Sequence, residues 1–202
     1  MTVTLDDTKL KAIADAIRAK NGTADTYNPS EMASAIANIG GDITDIKNLL
    51  EKGEEELTEI TVPEGVTKIR NSCFHYYDAL VTVNLPSTIT SIGASAFSGC
   101  TALKNIELPN NLTQIYPRIF EDCISLENIT IPASVQEIGE YAFGWCTGLK
   151  TVTFKGKPTT IKGNVFGYST GLTAINVPWS EGEVANAPWG AAGTIVNYNY
   201  VG

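Results

Sequence analysis

Six leucines recur along the chain at one constant interval, each of them standing 23 positions after the one before. They are Leu57, Leu80, Leu103, Leu126, Leu149 and Leu172. A fixed period of this length is the signature of a repeat architecture, in which each unit packs only against its neighbours. One unit is too small to bury its own apolar side chains. The period therefore predicts a stack of similar coils, a solenoid, rather than a compact globule.

Further apolar columns follow each leucine at fixed offsets. In the first unit they are Ile60 and Val62, and Pro63 comes next; a proline stands at this place in every unit except the fifth, which has Lys155. Alternating apolar side chains indicate a short strand. Proline ends the pairing of that strand because it has no N–H to donate. The pattern predicts six strands, one in each unit.

The second half of each unit carries two more columns. The segment typified by 66–69 is predicted to be a second short extended piece. The segment typified by Ala96 and Phe97 is predicted to be a helical turn that directs the aromatic ring inward. Each buried Ile, Leu or Phe contributes on the order of 1.5–3 kcal/mol relative to exposure, so stacking outweighs chain entropy. The phenylalanine column contains Phe74, Phe97, Phe120, Phe143 and Phe166.

The combined pattern, L-x-x-I-x-I-P followed by V-x-x-I-x-x-x-A-F-x-x-C-x-x-L, resembles the BspA-like leucine-rich repeats of bacterial surface proteins. Segments 80–102 and 126–148 match it almost column for column. The resemblance implies an α+β leucine-rich-repeat solenoid over residues 57–178. For function it implies an adhesin or binding scaffold. The first unit departs from the pattern at 75–77, and the fifth departs at Lys155 and Pro158.

Residues 1–56 are predicted to form a helical segment. Apolar residues at helical spacing run over 10–17, and 28–31 has the capping side chain, proline and glutamate of a helix start. Two interpretations stay open, a cap on the solenoid or a module that assembles a homo-oligomer, with a trimer expected. The candidate oligomerisation residues are Ile43, Ile46 and Leu50.

The C-terminal residues 179–202 are predicted to form a cap. Trp179 and Trp189 follow prolines where the stack ends, and we expect their indoles to cover core leucines. The segment 194–198 is β-branched and aromatic, and it is expected to add a final edge strand.

Both flanks are also similar to pieces of phage proteins. Segment 10–36 resembles a segment near the start of tail-fibre and tail-associated proteins in phages and prophages of Gram-positive bacteria. Segment 175–200 is similar to closing segments of phage-type structural proteins. This resemblance implies a virion tail or baseplate protein, made in the host cytoplasm, whose partners are other virion proteins. The alternative is a BspA-like adhesin at the bacterial surface that binds a host protein or glycan.

Composition excludes several classes of partner. The formal net charge is -8, and the sequence contains no cluster of Lys and Arg. A protein that neutralises phosphates needs a basic stripe, so we expect no nucleic-acid partner. Residues 1–11 lack the basic and apolar regions of a signal peptide, and no apolar run approaches the roughly 20 residues of a membrane helix. We therefore expect no membrane partner.

The cysteines give no indication of a metal site. Cys100, Cys123 and Cys146 share one repeat column and Cys73 stands in another, without any C-x-x-C spacing. We expect the column to hold small buried apolar side chains, with no metal and no cofactor.

Acid–base catalysis is also unsupported. His75 is the sole histidine, and no partner can be placed beside it. The carboxyl groups of Glu107, Glu121 and Asp122 are predicted on different faces of the coil, so they do not converge. The sequence therefore predicts a protein that is not an enzyme and has no catalytic residues.

Two surfaces are candidates for ligand binding. The first is the outward face of the strands, a ladder of hydrogen-bonding groups that suits a peptide strand or a glycan, although such residues are also ordinary on exposed strands. Its candidate residues, beside Glu59 and Thr61, are Thr82, Asn84, Asn105, Glu107, Asn128, Thr130, Thr151 and Thr153. The second is an aromatic column for stacking on sugar rings, with loop packing as its alternative. It comprises Tyr76, Trp145 and Tyr168, with Tyr141 nearby.

Overall fold

The computed structural model describes residues 26–27, 58–62 and 64–201. Over the repeats the chain winds into a solenoid whose first five coils each contribute two short strands and whose sixth coil contributes one. In chain order the strands are β1 (Thr26–Tyr27), β2 (Glu59–Thr61), β3 (Lys68–Ile69), β4 (Thr82–Asn84), β5 (Ser91–Ile92), β6 (Asn105–Ile106), β7 (Gln114–Ile115), β8 (Asn128–Ile131), β9 (Glu137–Ile138), β10 (Thr151–Phe154), β11 (Thr160–Ile161), β12 (Ala174–Asn176) and β13 (Ile195–Asn197).

The strands form two sides of the solenoid, and every pairing is parallel. The first side holds the sheets β2-β4-β6 and β8-β10-β12-β13, and the second holds β1-β3-β5 and β7-β9-β11. Within the repeats each residue faces the one 23 positions further on, as Ile60 faces Val83 and Ile129 faces Val152. The prediction of six leading strands is confirmed, and the predicted second extended piece forms in the first five units, as β3, β5, β7, β9 and β11. We name the outward surface of the first side the sheet face.

The third side of each coil is a turn segment, and here the predicted helical turn was wrong. In the first coil the N–H groups of Ser72, Phe74 and Tyr76 donate to carbonyls of the next coil at 2.8–2.9 Å. The N–H groups between them donate backward within the same coil. An α-helix would satisfy its N–H groups internally and leave none for a neighbour. The chain instead alternates the two kinds of bond, so the turns form a ladder that joins the coils.

No helix occurs within residues 58–62 and 64–201, so the described part is an all-β solenoid and not the predicted α+β repeat. The predicted N-terminal helices and the oligomerisation residues Ile43, Ile46 and Leu50 lie outside the described residues. Strand β1 lies between the first two predicted helices and pairs with β3. In the same described part, no helix combines the length and the apolar character that a membrane crossing requires.

The core is a set of buried columns that run along the solenoid. The phenylalanines stack on one another in adjacent coils, with ring centroids 5.2–5.7 Å apart and planes within 23° of parallel. Leu80 and Leu103 have no exposed surface, and Leu172 in the last unit is 4% exposed. Each ring therefore shields the next, as the repeat period predicts.

The C-terminal end of the stack is closed by the two tryptophans. Trp179 is 4% exposed and Trp189 is 1% exposed, and both rings contact Phe154 with centroids 5.2 and 6.0 Å away. The Trp189 indole N–H donates to the carbonyl of Ala185 at 2.8 Å, so the buried donor is satisfied. Strand β13 pairs with β12 as the outermost strand. The predicted edge strand is confirmed, and the indoles close this end of the stack over Phe154, where the prediction had core leucines.

Candidate functional site

The sheet face brings the eight predicted side chains into two parallel columns, seven of them on β4, β6, β8 and β10 and Glu107 directly after β6. One column runs through Thr82 and Thr151, and the other runs through Asn84 and Thr153. Strand residues between them point into the core, which fixes these side chains outward. Five of the eight are exposed and three are half-buried. The exposed ones are Asn84, Asn105, Glu107, Asn128 and Thr130.

Part of this face is hydrogen-bonded along the solenoid axis. The Asn84 amide donates to the Thr61 hydroxyl and to the Glu59 carboxylate, both at 3.1 Å. At the other end the Asn176 amide donates to Thr153 at 3.2 Å, and the Asn197 amide donates to the Asn176 carbonyl oxygen at 2.7 Å. These bonds link adjacent coils at the two ends of the face.

Sequence reasoning did not single out Asn176 or Asn197. The signal was present for Asn176, because it lies one full period after Thr153 and continues the same column. Asn197 was harder to find, since β13 joins β12 with a shorter separation that the period does not give.

The centre of the sheet face is free of such bonds. Within the described part of the chain, the side chains of Asn105, Glu107, Asn128 and Thr130 form no hydrogen bond or ion pair. Beside them Lys150 and Glu127 form an exposed ion pair at 3.4 Å. Exposed pairs contribute little, because water screens the charges. The centre therefore presents amide, hydroxyl and carboxylate groups that remain available to a ligand.

The turn side carries the aromatic residues, and the structure joins only some of them. Trp145 stacks on Tyr168 with centroids 4.7 Å apart, and Tyr141 stacks on Trp145 at 5.1 Å. Arg118, which sequence reasoning did not single out, lies over the Tyr141 ring at 5.6 Å. We name Tyr141, Trp145 and Tyr168 the aromatic stack.

Tyr76 does not join the aromatic stack, although it shares a repeat column with Trp145 and Tyr168. Trp145 lies three coil steps further along the solenoid, which corresponds to roughly 14 Å at the usual strand spacing. Its ring stacks on His75 with centroids 4.0 Å apart. The ring also covers Gly99 of the next coil, where a Cβ atom would overlap it. The predicted aromatic column is therefore two separate groups.

The aromatic stack occupies a strained backbone conformation. Tyr141, Trp145 and Tyr168 have φ of 53°, 55° and 62°, in the left-handed region. A residue with a Cβ atom costs roughly 1–2 kcal/mol there. The column of Trp145 and Tyr168 holds Gly99 and Asp122 in other coils, and both residue types enter this region more readily. Packing of the turn therefore does not require large rings at these positions.

The buried thiols have no reactive character. Cys100, Cys123 and Cys146 have no exposed surface. Burial raises the pKa of the Cys100 thiol to about 12 and holds the pKa of the other two well above the ordinary value. A thiolate is the nucleophile and the metal ligand, so these groups are inert.

No metal centre forms among residues 58–62 and 64–201. That part holds no group of three His, Cys, Asp or Glu side chains able to bind a metal ion. His75 packs against Tyr76. Glu121 pairs with Arg118 at 3.1 Å, and Glu107 lies on the sheet face. The described surface displays hydrogen-bonding side chains on the sheet face and stacked rings on the turn side.

Known proteins share this architecture. A leucine-rich-repeat protein of T. pallidum superposes with a TM-score of 0.60 and 29% identity, over 73% of this chain and 71% of that protein. A leucine-rich cell-surface protein of Faecalibacterium prausnitzii gives a TM-score of 0.58 and 29% identity, over 63% of this chain and 34% of that one. The pneumococcal vaccine antigen PcpA, at 19% identity and a TM-score of 0.57, shares the fold over 70% of this chain and 36% of its own. No curated protein matches the chain.

The chain thus spans about a third of the length of the latter two proteins. The family model of the BspA-type leucine-rich repeat region matches residues 32–81 and 67–187, in six copies. This match covers more than half of the chain, and its period is that of the stacked coils. The chain belongs to the BspA-type leucine-rich-repeat family.

Proposed function

We propose that this protein is a non-enzymatic adhesin domain that binds a cell-surface macromolecule through its sheet face. The observation that carries the proposal is the centre of that face. Asn105, Glu107, Asn128 and Thr130 lie on adjacent coils with their hydrogen-bonding groups uncommitted. The bonds of Asn84 and Asn176 on either side keep the surface in order before a ligand arrives. Such preorganisation lowers the entropy cost of binding.

Family membership supports a place at a cell surface. The F. prausnitzii relative is described as a cell-surface protein, and it resembles this chain at 29% identity over the repeats. Leucine-rich repeats supply a regular scaffold, so function depends on the side chains displayed on it. The displayed residues here suit binding and not turnover.

The tail-fibre hypothesis is the second candidate. It rests on the resemblance of segments 10–36 and 175–200 to phage proteins, and the similar structures are bacterial leucine-rich-repeat proteins instead. It carries with it the proposal of a homo-oligomer, expected as a trimer, assembled through 1–56. Sedimentation equilibrium of the full chain tests that proposal, because a mass equal to one chain contradicts assembly.

Binding to cells tests the adhesin proposal. Fluorescently labelled full-length protein is incubated with cultured human epithelial cells and, separately, with bacterial cells, and binding is measured by flow cytometry. The variant Asn105→Arg with Asn128→Arg places two bulky charges at the centre of the sheet face. We expect saturable binding of the wild type to at least one cell type and a reduction of about tenfold or more in the variant.

A matched control introduces the same charges elsewhere. Thr113 and Gln136 are exposed, occupy equivalent places on adjacent coils, and flank the second side of the solenoid. Thr113→Arg with Gln136→Arg should bind within about twofold of the wild type. Equal loss in both variants, or no saturable binding to either cell type, contradicts the proposal.

A further inference from the structure

The aromatic stack ends on an open ring face. Trp145 covers one face of Tyr168, with planes 18° apart and centroids 4.7 Å apart. No other aromatic ring of the described chain contacts Tyr168, which is 61% exposed. Since Trp145 belongs to the preceding coil, the open face of Tyr168 points toward the C-terminal end of the solenoid.

The chain that runs beside this face carries only small residues. The N–H of Phe166 donates to the carbonyl of Trp189 at 3.1 Å, so the residues after Trp189 run beside those after Phe166. These residues, 190–193, have the sequence Gly-Ala-Ala-Gly. None of them carries a group beyond Cβ, and Gly190 lies against Gly167 and Asn164. A planar object can therefore continue the stack where the next coil has no ring.

The large rings are not explained by the needs of the turn. Tyr141, Trp145 and Tyr168 all hold left-handed backbone conformations, while Gly99 occupies the column of Trp145 and Tyr168 without strain. Stacking on one another recovers part of that cost. It also fixes the orientation of Tyr168, so the outer ring is held ready and loses little freedom when a ligand binds.

The chemistry of this face fits an uncharged sugar. A pyranose ring has an apolar face of C–H groups that are slightly positive, and the face of an aromatic ring is slightly negative. The sugar hydroxyls then lie around the edge of the ring, and the exposed Asn164 stands next to Gly190 in the segment that follows Trp189. Asp122, in the same repeat column as Trp145 and Tyr168, and the net charge of -8 disfavour an acidic sugar.

We propose that the open face of Tyr168 binds an uncharged pyranose ring of a glycan, as the next member of the aromatic stack. The proposal rests on the proposed function in that the domain is a binding domain. It adds a second contact surface, on the turn side, that is independent of the sheet face.

The test uses the full-length protein and named sugars. Saturation-transfer NMR is recorded with methyl β-D-galactopyranoside, methyl α-D-glucopyranoside and N-acetyl-D-glucosamine, and a printed array of neutral and sialylated glycans measures multivalent binding. Tyr168→Ala removes the ring, and Tyr168→Phe keeps the face and removes only the hydroxyl. Tyr76→Ala is the control, because Tyr76 has the same φ of 62° and a similar exposure of 65%, but its ring is packed on His75 and over Gly99.

We expect at least one neutral sugar to bind, with a loss of about tenfold or more in Tyr168→Ala and of about twofold or less in Tyr168→Phe and Tyr76→Ala. Absence of binding to every neutral glycan overturns the proposal, and so does equal loss in Tyr76→Ala. A stronger response to sialylated glycans overturns the assignment of an uncharged ligand. Self-association that is lost in Tyr168→Ala shows that a second copy fills the face, and this also overturns it.

The two proposals fail separately. Cell binding that depends on Asn105 and Asn128 but not on Tyr168, together with no sugar binding, removes the glycan site and leaves the adhesin proposal standing. Sugar binding without any binding to cells removes the adhesin proposal and leaves the glycan site standing.

Discussion

The thiol of Cys123 donates a hydrogen bond to the carbonyl oxygen of Phe97, at 3.2 Å, across one turn of the solenoid. Cys146 repeats the bond on Phe120 at 3.0 Å. In the next coil Ser169 takes the same place and donates to Phe143 at 2.6 Å. The column therefore holds a small side chain with a donor in each of these coils, supplied by cysteine or by serine.

Alkaline pH should destabilise the protein through this column. Burial raises the pKa of the Cys100 thiol from an ordinary value of 9.0 to about 12, and the pKa values of Cys123 and Cys146 are raised as well. The unfolded chain therefore loses these protons first. Their contribution to stability is complete below about pH 9 and is lost as the pH rises toward 12.

Urea unfolding at about pH 8 and about pH 10.5 measures this effect, because the free energy of unfolding falls wherever the folded state binds more protons. The control is the triple variant Cys100→Ser, Cys123→Ser and Cys146→Ser, which keeps the donors and removes the titration. We expect a smaller decline in that variant. An equal decline would assign the pH dependence to other groups.

Thiol reactivity should separate Cys73 from the buried column. Cys73 is half-buried, whereas the other three have no exposed surface. With Ellman's reagent at about pH 8, we expect about one thiol to react in the folded protein and all four in urea, since reaction requires an accessible thiolate. Cys73→Ser should abolish the fast reaction. Rapid modification of several thiols in the folded state would contradict the buried column.

Removal of one ring from the phenylalanine ladder should be costly. Phe120 has no exposed surface and stacks between Phe97 and Phe143, with centroids 5.6 and 5.4 Å away. Phe120→Ala should lower the free energy of unfolding by about 3–5 kcal/mol, because it leaves a cavity between two coils. Tyr76→Ala, on the surface, should change it by less than about 1 kcal/mol. Equal effects of the two changes in urea unfolding would argue against the ladder.

Loss of the indole lid should destabilise only the coils at the C-terminal end of the stack. Trp189 covers Phe154 and contacts Trp179, with centroids 6.5 Å apart, at one end of the stack. In a solenoid each coil depends chiefly on its neighbours, so damage at one end spreads only a short way. Hydrogen exchange of Trp189→Ala should be faster in β12 and β13 and unchanged in β4. The control is Trp145→Ala, which removes a tryptophan outside the lid. Faster hydrogen exchange along the whole chain of Trp189→Ala would show that the coils unfold as one unit.

The sequence determined the fold of the repeats because the burial of apolar side chains dominates the stability of that fold. Burial of an apolar side chain depends on its position in the period, and that position can be read without knowing any distance. Leu80, Ile60 and Phe97 are buried where the columns place them. The edge strand 195–197 and the indole lid also follow from local composition and from where the repeat ends.

The turn segment was decided by the tertiary structure. The stretch around Ala96 and Phe97 has no local signal that forbids a helical turn. The neighbouring coil supplies carbonyl acceptors to Phe97 and Gly99, and left-handed residues such as Ser95 turn the N–H groups toward them. A partner in the next coil cannot be inferred from the propensity of the segment itself. The same is true of β1, whose partner β3 lies far along the chain.

The tertiary structure also decided which surface groups can act together. The period places Tyr76, Trp145 and Tyr168 in one column, but only the last two meet, because Gly99 and Asp122 fill the coils between. Asn84 and Asn105 are both asparagines of the sheet face. The amide of Asn84 donates to Thr61, whereas the side chain of Asn105 forms no hydrogen bond in the described part of the chain. Repetition determines where side chains point, since it acts through the backbone. Contacts between individual side chains depend on distances that only the stacked coils set.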